Sequence, residues 1–295
     1  MIQTPTVLIL GAGASCPYGF PTGRQLRDKI CAPADRSFLV REPCDRFLQR
    51  LRISGFPSVD KFLENNPEFI DIGRDLIAHH LIGCERPSKL LPPNAPTVHW
   101  YEFLVNQLLS GGKKQFRHNK LTIITFNYDR SLEHYLATVM SERFREPYFV
   151  SLQRILKTTK VLHVHGQLGR LASGPRARVY SMDCSDRNVR LAARSIKIIH
   201  IANPKSDSFR KAKASLRKAA RIYFLGFGYD STNMERLGFR KGAKPRYSGQ
   251  VFLDSHGLNG TARKELIDDY HMKEIETAAQ PSRSIGYVVR DLPWD

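Results

Sequence analysis

The sequence predicts an α/β fold built on a doubly wound parallel sheet, with a helical insertion beside it. Three observations support this class. Six short apolar runs are continuously hydrophobic, as in strands buried on both faces of a parallel sheet. Segments with helical spacing separate most of these runs. Gly-rich turns follow the first and fifth runs, where such a sheet would join strand to helix.

The apolar runs predict strands, and the segments between them predict helical crossovers. The predicted strands lie at residues 6–10, 121–126, 161–164, 196–201, 222–227 and 250–254. Residues 131–140 and 208–220 place apolar or small residues three and four positions apart, which predicts helices. Helical crossovers between successive strands are typical of parallel sheets.

One stretch interrupts this alternation. Residues 24 to about 118 contain no convincing strand, but they contain several segments with helical spacing. These segments are residues 43–52, 58–65, 67–83 and 99–111. We interpret the stretch as a helical insertion packed beside the sheet, so residues 1–295 are expected to form a single domain.

The charge of the chain is strongly positive and unevenly placed. The formal net charge is +18, and residues 151–250 contain 22 Lys and Arg against 5 Asp and Glu. Such an excess favours contact with nucleic acid or an acidic partner. A solvent-exposed surface that is simply rich in Lys and Arg explains the positive charge equally well. Both interpretations stay open.

Composition also argues against several classes of protein. No apolar run approaches the roughly 20 residues that a membrane-spanning helix needs, and no signal-like segment begins the chain. We therefore expect a soluble cytoplasmic protein with no membrane contact. The five cysteines include no CxxC pair, which argues against a zinc module and a disulfide framework. No metal is expected.

The first Gly-rich turn, "GAGAS" from Gly11 to Ser15, follows the first strand. Glycines at such a corner let the backbone approach a pyrophosphate, so the turn suggests a dinucleotide. Cys16 stands where the GxGxxG fingerprint of dehydrogenases needs its third glycine. No strand ending in an acidic residue follows about 20 positions later, as that fingerprint also needs. Hydride transfer is therefore disfavoured, and a simple tight turn is the alternative.

Polar residues follow two other predicted strands. Asn127 and Asp129 come after the strand at 121–126, where the carboxyl ends of strands carry ligand sites. Helix capping is the alternative for this pair. His163 and His165 are expected on the same side of their strand. His165 precedes Gly166 and is a candidate for proton transfer, whereas we interpret His163 as structural.

A second Gly-rich corner, "LGFG", contains Gly226 and Gly228 at the end of the apolar run at 222–227. This corner would suit the half of a dinucleotide that the first Gly-rich turn does not bind. The nearby residues Asp230, Ser231 and Thr232 are equally plausible as helix caps.

Taken in order, these four stretches resemble the sirtuin family, whose fold is Rossmann-like. "GAGAS" and "GFPTGR" resemble its Gly-Ala-Gly-x-Ser and Gly-x-Pro segments, "FNYD" its Gln-Asn-x-Asp motif, and "HG" its catalytic histidine motif. The chain departs from the family at Thr22, where sirtuins have aspartate. It also lacks the Thr-Ser of the late corner and the zinc ribbon, in whose place only Cys184 occurs. The closer resemblance is to the sirtuin-related NADases of bacterial antiphage defence.

The resemblance implies an NAD⁺ glycohydrolase, for which NAD is the substrate. It implies that Asn127 holds the ribose and positions water, that His165 acts as base or hydrogen-bond partner, and that Asp129 orients this network. Gly13, Ala14 and Ser15 would contact the phosphates. The full set of residues implied in NAD binding is Gly11, Ala12, Gly13, Ala14, Ser15, Pro21, Thr22, Arg24, Gly226, Phe227 and Gly228.

The resemblance also implies partners and leaves rival functions open. A homo-oligomer is expected, with a separate sensor or a HerA-type ATPase as partner. The nearest rival is an NAD-dependent deacylase or ADP-ribosyl transferase at the same site. The other rival is a non-catalytic subunit that binds NAD or ADP-ribose in a DNA-associated complex.

Overall fold

The computed structural model describes residues 1–32, 42–91, 99–171, 174, 177–198, 206–243, 246–255, 257–275, 289, 292 and 294. Within these residues the chain forms one sheet of six strands, all parallel. They are β1 (Thr6–Leu10), β2 (Leu121–Thr125), β3 (Lys160–His163), β4 (Arg221–Leu225), β5 (Gln250–Leu253) and β6 (Lys273–Glu274).

The order of the strands across the sheet is β3-β2-β1-β4-β5-β6. At the centre, Thr6 of β1 lies opposite Leu121 of β2 and Arg221 of β4. The chain therefore runs outward from β1 to β3, returns to the other side of β1, and continues to β6. The carboxyl edge between β1 and β4 is thus a topological switch point, where ligands bind in open α/β sheets. The Rossmann-like, doubly wound fold predicted from the sequence is confirmed.

Helices account for the connections between strands. The described residues contain α1 (Gly23–Cys31), α2 (Glu42–Ile53), α3 (Val59–Asn65), α4 (Ile70–Ile82), α5 (Pro87–Leu90), α6 (Trp100–Leu109), α7 (Gly112–Gln115), α8 (Ser131–Phe144), α9 (Tyr148–Thr158), α10 (Asp186–Ala193), α11 (Asp207–Lys218), α12 (Ser231–Leu237) and α13 (Gly260–Asp268). Short 3-10 helices cover Ala12–Tyr18, Pro67–Phe69 and Phe116–His118. None of the helices in these ranges is both long and apolar enough to cross a membrane.

The helical insertion is also confirmed. Between β1 and β2 the described residues form helices and connecting turns, and no strand occurs among them. The elements α2, α3, α4 and α6 coincide with the four segments predicted from the spacing of apolar residues. Packing against neighbouring helices and the apolar core, rather than helix propensity, stabilises such short helices.

One predicted strand needs correction, and one strand of the sheet was not predicted. The run at 196–201 does not add a strand over its described residues. Instead Ile196 forms an isolated antiparallel bridge with Gly166, and 199–201 lie outside the described residues. The chain here pairs with the turn after β3, so it cannot join the parallel ladder. The strand β6 was not predicted, because its two residues, Lys273 and Glu274, are polar.

Apolar side chains cover both faces of the sheet. Leu8 and Leu10 of β1 belong to a cluster that includes the helical insertion and α8. Val7 and Ile9 of the same strand belong to a second cluster, formed with α11, α12 and α13. Since successive side chains of a strand point to opposite faces, burial on both sides explains why β1 is continuously apolar.

A buried ion network ties the helical insertion to the chain beyond β2. Glu85, just after α4, accepts hydrogen bonds from Nε and Nη2 of Arg130 at 2.7–2.9 Å, and it also pairs with Arg178. The three residues are at most 4% exposed. Burial raises the pKa of Glu85, and the two guanidinium groups act in the opposite direction. One carboxylate therefore balances two buried cations.

We expect Glu85→Gln to lower the free energy of unfolding by about 3–5 kcal/mol, because it leaves two buried guanidinium groups with a neutral partner. Urea denaturation at neutral pH measures the change. Glu68→Gln is the matched control, since Glu68 is exposed and its replacement is expected to change stability by less than about 0.5 kcal/mol. Equal stability of the two variants would contradict the structural role of Glu85.

Candidate functional site at the carboxyl edge of the sheet

The two Gly-rich turns pack directly against each other at the carboxyl ends of β1 and β4. The amide of Gly11 donates to the carbonyl oxygen of Leu225 at 3.1 Å, and that of Gly13 donates to the carbonyl oxygen of Gly226 at 2.9 Å. A Cβ atom on Gly11 would lie 2.5 Å from the Gly226 oxygen. Gly226 has a φ of +55°, and its Cβ would lie 2.2 Å from the amide nitrogen of Ala14. Neither turn can carry a side chain at this contact.

Asn127, Ser15 and Asp129 form a hydrogen-bond network beside these turns. The amide nitrogen Nδ2 of Asn127 donates to the carbonyl oxygen of Gly11 at 2.8 Å and to Oγ of Ser15 at 3.1 Å. Oγ of Ser15 donates to Oδ2 of Asp129 at 2.8 Å. The structure thus brings together three residues that the sequence places after two different strands.

Asp129 precedes Arg130, the N-cap of helix α8, and binds the first residue of that helix. Its Oδ1 accepts from the amide of Ser131 at 3.1 Å and from the Ser131 hydroxyl. Burial raises the pKa of Asp129, while the hydrogen bonds from Ser131 and Ser15 act in the opposite direction. The capping alternative is not met, because the N-cap of α8 is Arg130 and makes no side-chain cap hydrogen bond. One oxygen of Asp129 binds Ser131, and the other joins the network with Ser15.

A small cavity opens at this network. It has a volume of about 90 Å³, smaller than the roughly 300–1,000 Å³ of typical small-molecule clefts. A more open cavity of about 460 Å³ adjoins it across Phe20 and Pro21, beside α1. The lining of the small cavity includes five predicted site residues, Ala12, Ser15, Pro21, Asn127 and Asp129.

The small cavity also contains a residue that sequence reasoning missed. Asp60 of α3 lines it and accepts a hydrogen bond from the hydroxyl of Tyr128. Burial raises the pKa of Asp60, and the hydrogen bond from Tyr128 opposes this. One sequence signal could have identified Asp60. In "SVDKF" this carboxylate stands among apolar residues at helical spacing, within a predicted short helix.

Aromatic side chains of α6 contact the first Gly-rich turn and the start of α8. Nε1 of Trp100 donates to the carbonyl oxygen of Ala14 at 2.8 Å. The rings of Tyr18 and Tyr101 stack at 3.6 Å, and the Tyr101 hydroxyl lies 2.7 Å from Oγ of Ser131. These contacts join the helical insertion to the site, and they involve residues too distant in sequence for local patterns to reveal.

The two histidines lie on opposite faces of the sheet, which corrects the prediction that they share one side. The strand β3 ends at His163, so its alternation does not extend to His165. His163 lies 2.7 Å from Glu133 of α8 through Nε2 and 3.0 Å from the carbonyl oxygen of Asn127 through Nδ1. The ring of His165 instead contacts Phe126 and Phe209, at centroid distances of 5.2 and 5.8 Å.

His165 therefore lies outside the network of Asn127 and Asp129. It is 3% exposed and lies within hydrogen-bonding reach of the Asn233 side chain. Burial lowers its pKa to about 4, and the positive charge of Arg236 adds to this effect, whereas the neighbouring Asn233 opposes it. His165 is thus neutral at physiological pH.

The remaining predicted residues have other surroundings. Thr22 caps α1, since its hydroxyl accepts from the amide of Gln25 at 3.3 Å and its own amide donates to the Gln25 side chain. Arg24 is exposed. Phe227 is buried in the second apolar cluster, and Gly228 faces open space.

Comparison of the sequence with protein-family models and with curated protein sequences finds no match in either case. A function for the chain must therefore be inferred from its own residues and geometry. Within the described ranges, no group of three His, Cys, Asp or Glu side chains is placed to hold a metal ion.

Gly226→Ala is expected to lower the free energy of unfolding by about 2 kcal/mol or more, because the new methyl group meets backbone atoms at a positive φ. Gly228→Ala is the matched control, since no atom lies within 4 Å of its Cβ position. Urea unfolding of both variants measures the difference. A similar loss in both variants would contradict the close contact of the two turns.

The pair of His163 and Glu133 is expected to make stability depend on pH. Burial opposes protonation of His163, but Glu133 outweighs it and the pKa is raised. The contribution of the pair is therefore complete below the unfolded-state pKa of about 6.5 and is lost as pH rises through the folded-state pKa. The stability gap between the native chain and His163→Gln should shrink from pH 6 to pH 9 in urea denaturation. A gap that widens with pH would contradict this assignment.

Proposed function

We propose that this chain is an NAD⁺ glycohydrolase, which cleaves NAD⁺ to ADP-ribose and nicotinamide. The observation that carries the proposal is the network of Asn127, Ser15 and Asp129 beside the two Gly-rich turns. It lies at the carboxyl edge of a Rossmann-like sheet, where dinucleotides bind. The adjoining cavities, of about 90 and 460 Å³, suit a ribose at the network and the rest of a dinucleotide along α1.

The proposed reaction breaks the bond between ribose C1′ and the pyridinium nitrogen of nicotinamide. The bonding electrons go to that nitrogen, so nicotinamide leaves as a neutral molecule. Water adds to C1′ of the oxocarbenium-like ribose and releases a proton, which completes ADP-ribose. The protein's tasks are to hold the ribose, to stabilise the developing positive charge and to supply water.

Each residue of the network has a task in this proposal. Both donors of the Asn127 amide are engaged with the first Gly-rich turn, so its Oδ1 is the atom available to accept from a ribose hydroxyl or from water. Asp129 is a positioning residue, because it acts on Asn127 through Ser15. His165 is neutral, so it serves as a hydrogen-bond partner of the substrate rather than as a strong base.

The resemblance to sirtuin-related NADases extends the proposal to a biological role. In that role the chain is the effector of a bacterial antiphage defence system and depletes infected cells of NAD. It would act in the cytoplasm as a homo-oligomer, under the control of a separate sensor or a HerA-type ATPase. A deacylase or ADP-ribosyl transferase at the same site would differ in its products, acyl-ADP-ribose or a modified protein.

One alternative is supported by a separate observation. The pKa of Lys213 in α11 is lowered first by burial and then by nearby positive charges, those of Arg217, Arg246 and Arg240. Several cationic side chains therefore lie close together around α11. A cluster of this kind suits the phosphates of nucleic acid. Together with the position of His165 away from Asn127, it favours a non-catalytic subunit that binds NAD or ADP-ribose and contacts DNA. Such a subunit would bind NAD and leave it intact.

Nicotinamide release from NAD⁺ by the purified chain tests the proposal. Asn127→Ala and His165→Ala should each lower the rate by about 100-fold or more, the usual scale for a group that assists directly in the reaction. His118→Ala is the control, because His118 is exposed and precedes the amino end of β2, whereas the site lies at the carboxyl end. Urea denaturation verifies that each variant is folded. NAD⁺ consumption that survives both substitutions, or NAD⁺ binding without cleavage by the native chain, would overturn the proposal.

A further inference from the structure

Three cavities follow helix α1 away from the polar network at the carboxyl edge. The cavity of about 90 Å³ at that network is lined by Gly23, the first residue of α1, and by Leu26. The middle cavity, of about 460 Å³, is lined by Gln25 and Asp28. A third cavity, of about 200 Å³, shares Lys29 with the middle cavity but no described residue with the first. Because an α-helix rises about 1.5 Å per residue, Lys29 lies about 9 Å further along the axis than Gly23.

The third cavity, called the cationic cavity below, is lined by three positively charged side chains. They are Lys29 in the last turn of α1, Arg86 at the N-cap of α5 and Lys89 within α5. Among the described residues that line this cavity, none carries a carboxylate. None of the ion pairs between described residues involves these three cations. The cationic cavity therefore concentrates positive charge that the described part of the chain does not balance.

The thiol of Cys84 reports how close two of these charges lie to the cavity. Burial raises the pKa of Cys84, and the positive charges of Lys29 and then Arg86 oppose that shift. Glu85 stands between Cys84 and Arg86 in the chain, but its side chain is fully buried and bound to the two arginines of the buried ion network. Its negative charge is therefore already balanced elsewhere.

Helix α5 places Lys89 beside the same cavity. Pro87 begins this helix, and the buried side chain of Leu90 anchors it in the apolar core. Cγ of Lys89 lies 3.9 Å from the Cβ position of Gly19, which lines both the cationic cavity and the middle cavity. The three positive charges thus come from two segments that are far apart in sequence and that folding brings to one place.

This chemistry suits a phosphate group. Lys and Arg bind phosphate through charge-assisted hydrogen bonds, and a phosphate oxygen only accepts when it is ionised. The cavity of about 200 Å³ has room for a phosphate and several waters, since one water occupies about 30 Å³. The middle cavity differs, because Asp28 lines it together with Lys29. A carboxylate in that position suits a ribose hydroxyl rather than a phosphate.

The order of the cavities gives the place of this phosphate in a dinucleotide. With the reacting ribose at the polar network, the pyrophosphate lies beside the first Gly-rich turn and the amino end of α1, where backbone N–H groups attract it. The adenosine ribose then lies in the middle cavity, next to the cationic cavity. We propose that Lys29, Arg86 and Lys89 bind a phosphate on the adenosine ribose, so that the chain prefers NADP to NAD. The direction of the ligand along α1 rests on the proposed function.

Binding of ADP-ribose 2′-phosphate and of ADP-ribose to the purified chain tests this subsite. The two ligands differ only in the 2′-phosphate, and neither contains the bond to nicotinamide, so the proposed reaction cannot consume them. Calorimetric titration should give a dissociation constant at least about tenfold lower for the phosphorylated ligand, the scale of one charge-assisted hydrogen bond. The phosphorus NMR signal of the 2′-phosphate should shift on binding.

Lys29→Gln and Arg86→Gln should each lower the preference about threefold, the scale of one exposed ion pair, and the double variant should abolish it. The affinity for ADP-ribose should stay unchanged, because ADP-ribose lacks the phosphate that these cations bind. Lys120→Gln is the matched control, since it removes the same charge from an exposed lysine that precedes β2, at the opposite edge of the sheet. Urea denaturation verifies folding, and Lys89→Gln replaces Arg86→Gln if that variant does not fold.

Two results refute the subsite. Equal binding of both ligands by the native chain would leave the cations as partners of the carboxyl ends of α1 and α4, where helix dipoles favour positive charge. Variants that weaken both ligands equally would place the cations at the pyrophosphate, which both ligands share.

The outcome is separable from that of the proposed function. A chain that shows the preference but releases no nicotinamide refutes the hydrolase and retains the phosphate subsite. A chain that hydrolyses NAD⁺ without the preference refutes the subsite alone.

Discussion

The contact between the two Gly-rich turns is the constraint on which the rest of the site depends. It joins β1 to β4 beyond the end of their ladder, backbone against backbone, with Gly226 at a positive φ. Because no side chain fits between the turns, the carbonyl of Gly11 and the hydroxyl of Ser15 have defined positions. Asn127 binds both from the neighbouring strand. The polar network is therefore a consequence of close packing at the switch point of the sheet.

The helical insertion adds a second layer of support. Trp100 and Tyr101 hold the first turn and the start of α8, and the buried carboxylate of Glu85 holds Arg130 next to Asp129. In a low-dielectric interior each of these polar contacts is costly to leave unmade. The insertion thus restricts the loop after β2, and a site built this way is organised before a ligand arrives.

Local patterns were sufficient to predict most of the fold. Continuous apolar runs predicted β1 to β5, and apolar spacing predicted the helical insertion, because both signals depend on burial alone. The positions of Asn127 and Asp129 at the carboxyl edge could be predicted, because both residues come directly after a predicted strand. The face occupied by His165 could not be predicted, since it depends on where β3 stops and how Gly166 turns the chain. Partners such as Asp60 for Tyr128 are far apart in sequence and belong to tertiary packing.

Helix α3 contacts both halves of the carboxyl edge, through Asp60 on the side of Asn127 and through Glu64 on the side of Arg236. Glu64 also pairs with Lys61 at 2.8 Å, so Arg236 is one of two cations that share its charge. Any displacement of α12 from α3 then costs the free energy of the ion pair between Arg236 and Glu64. Added salt screens that pair, so the attachment of α12 to this edge weakens as ionic strength rises.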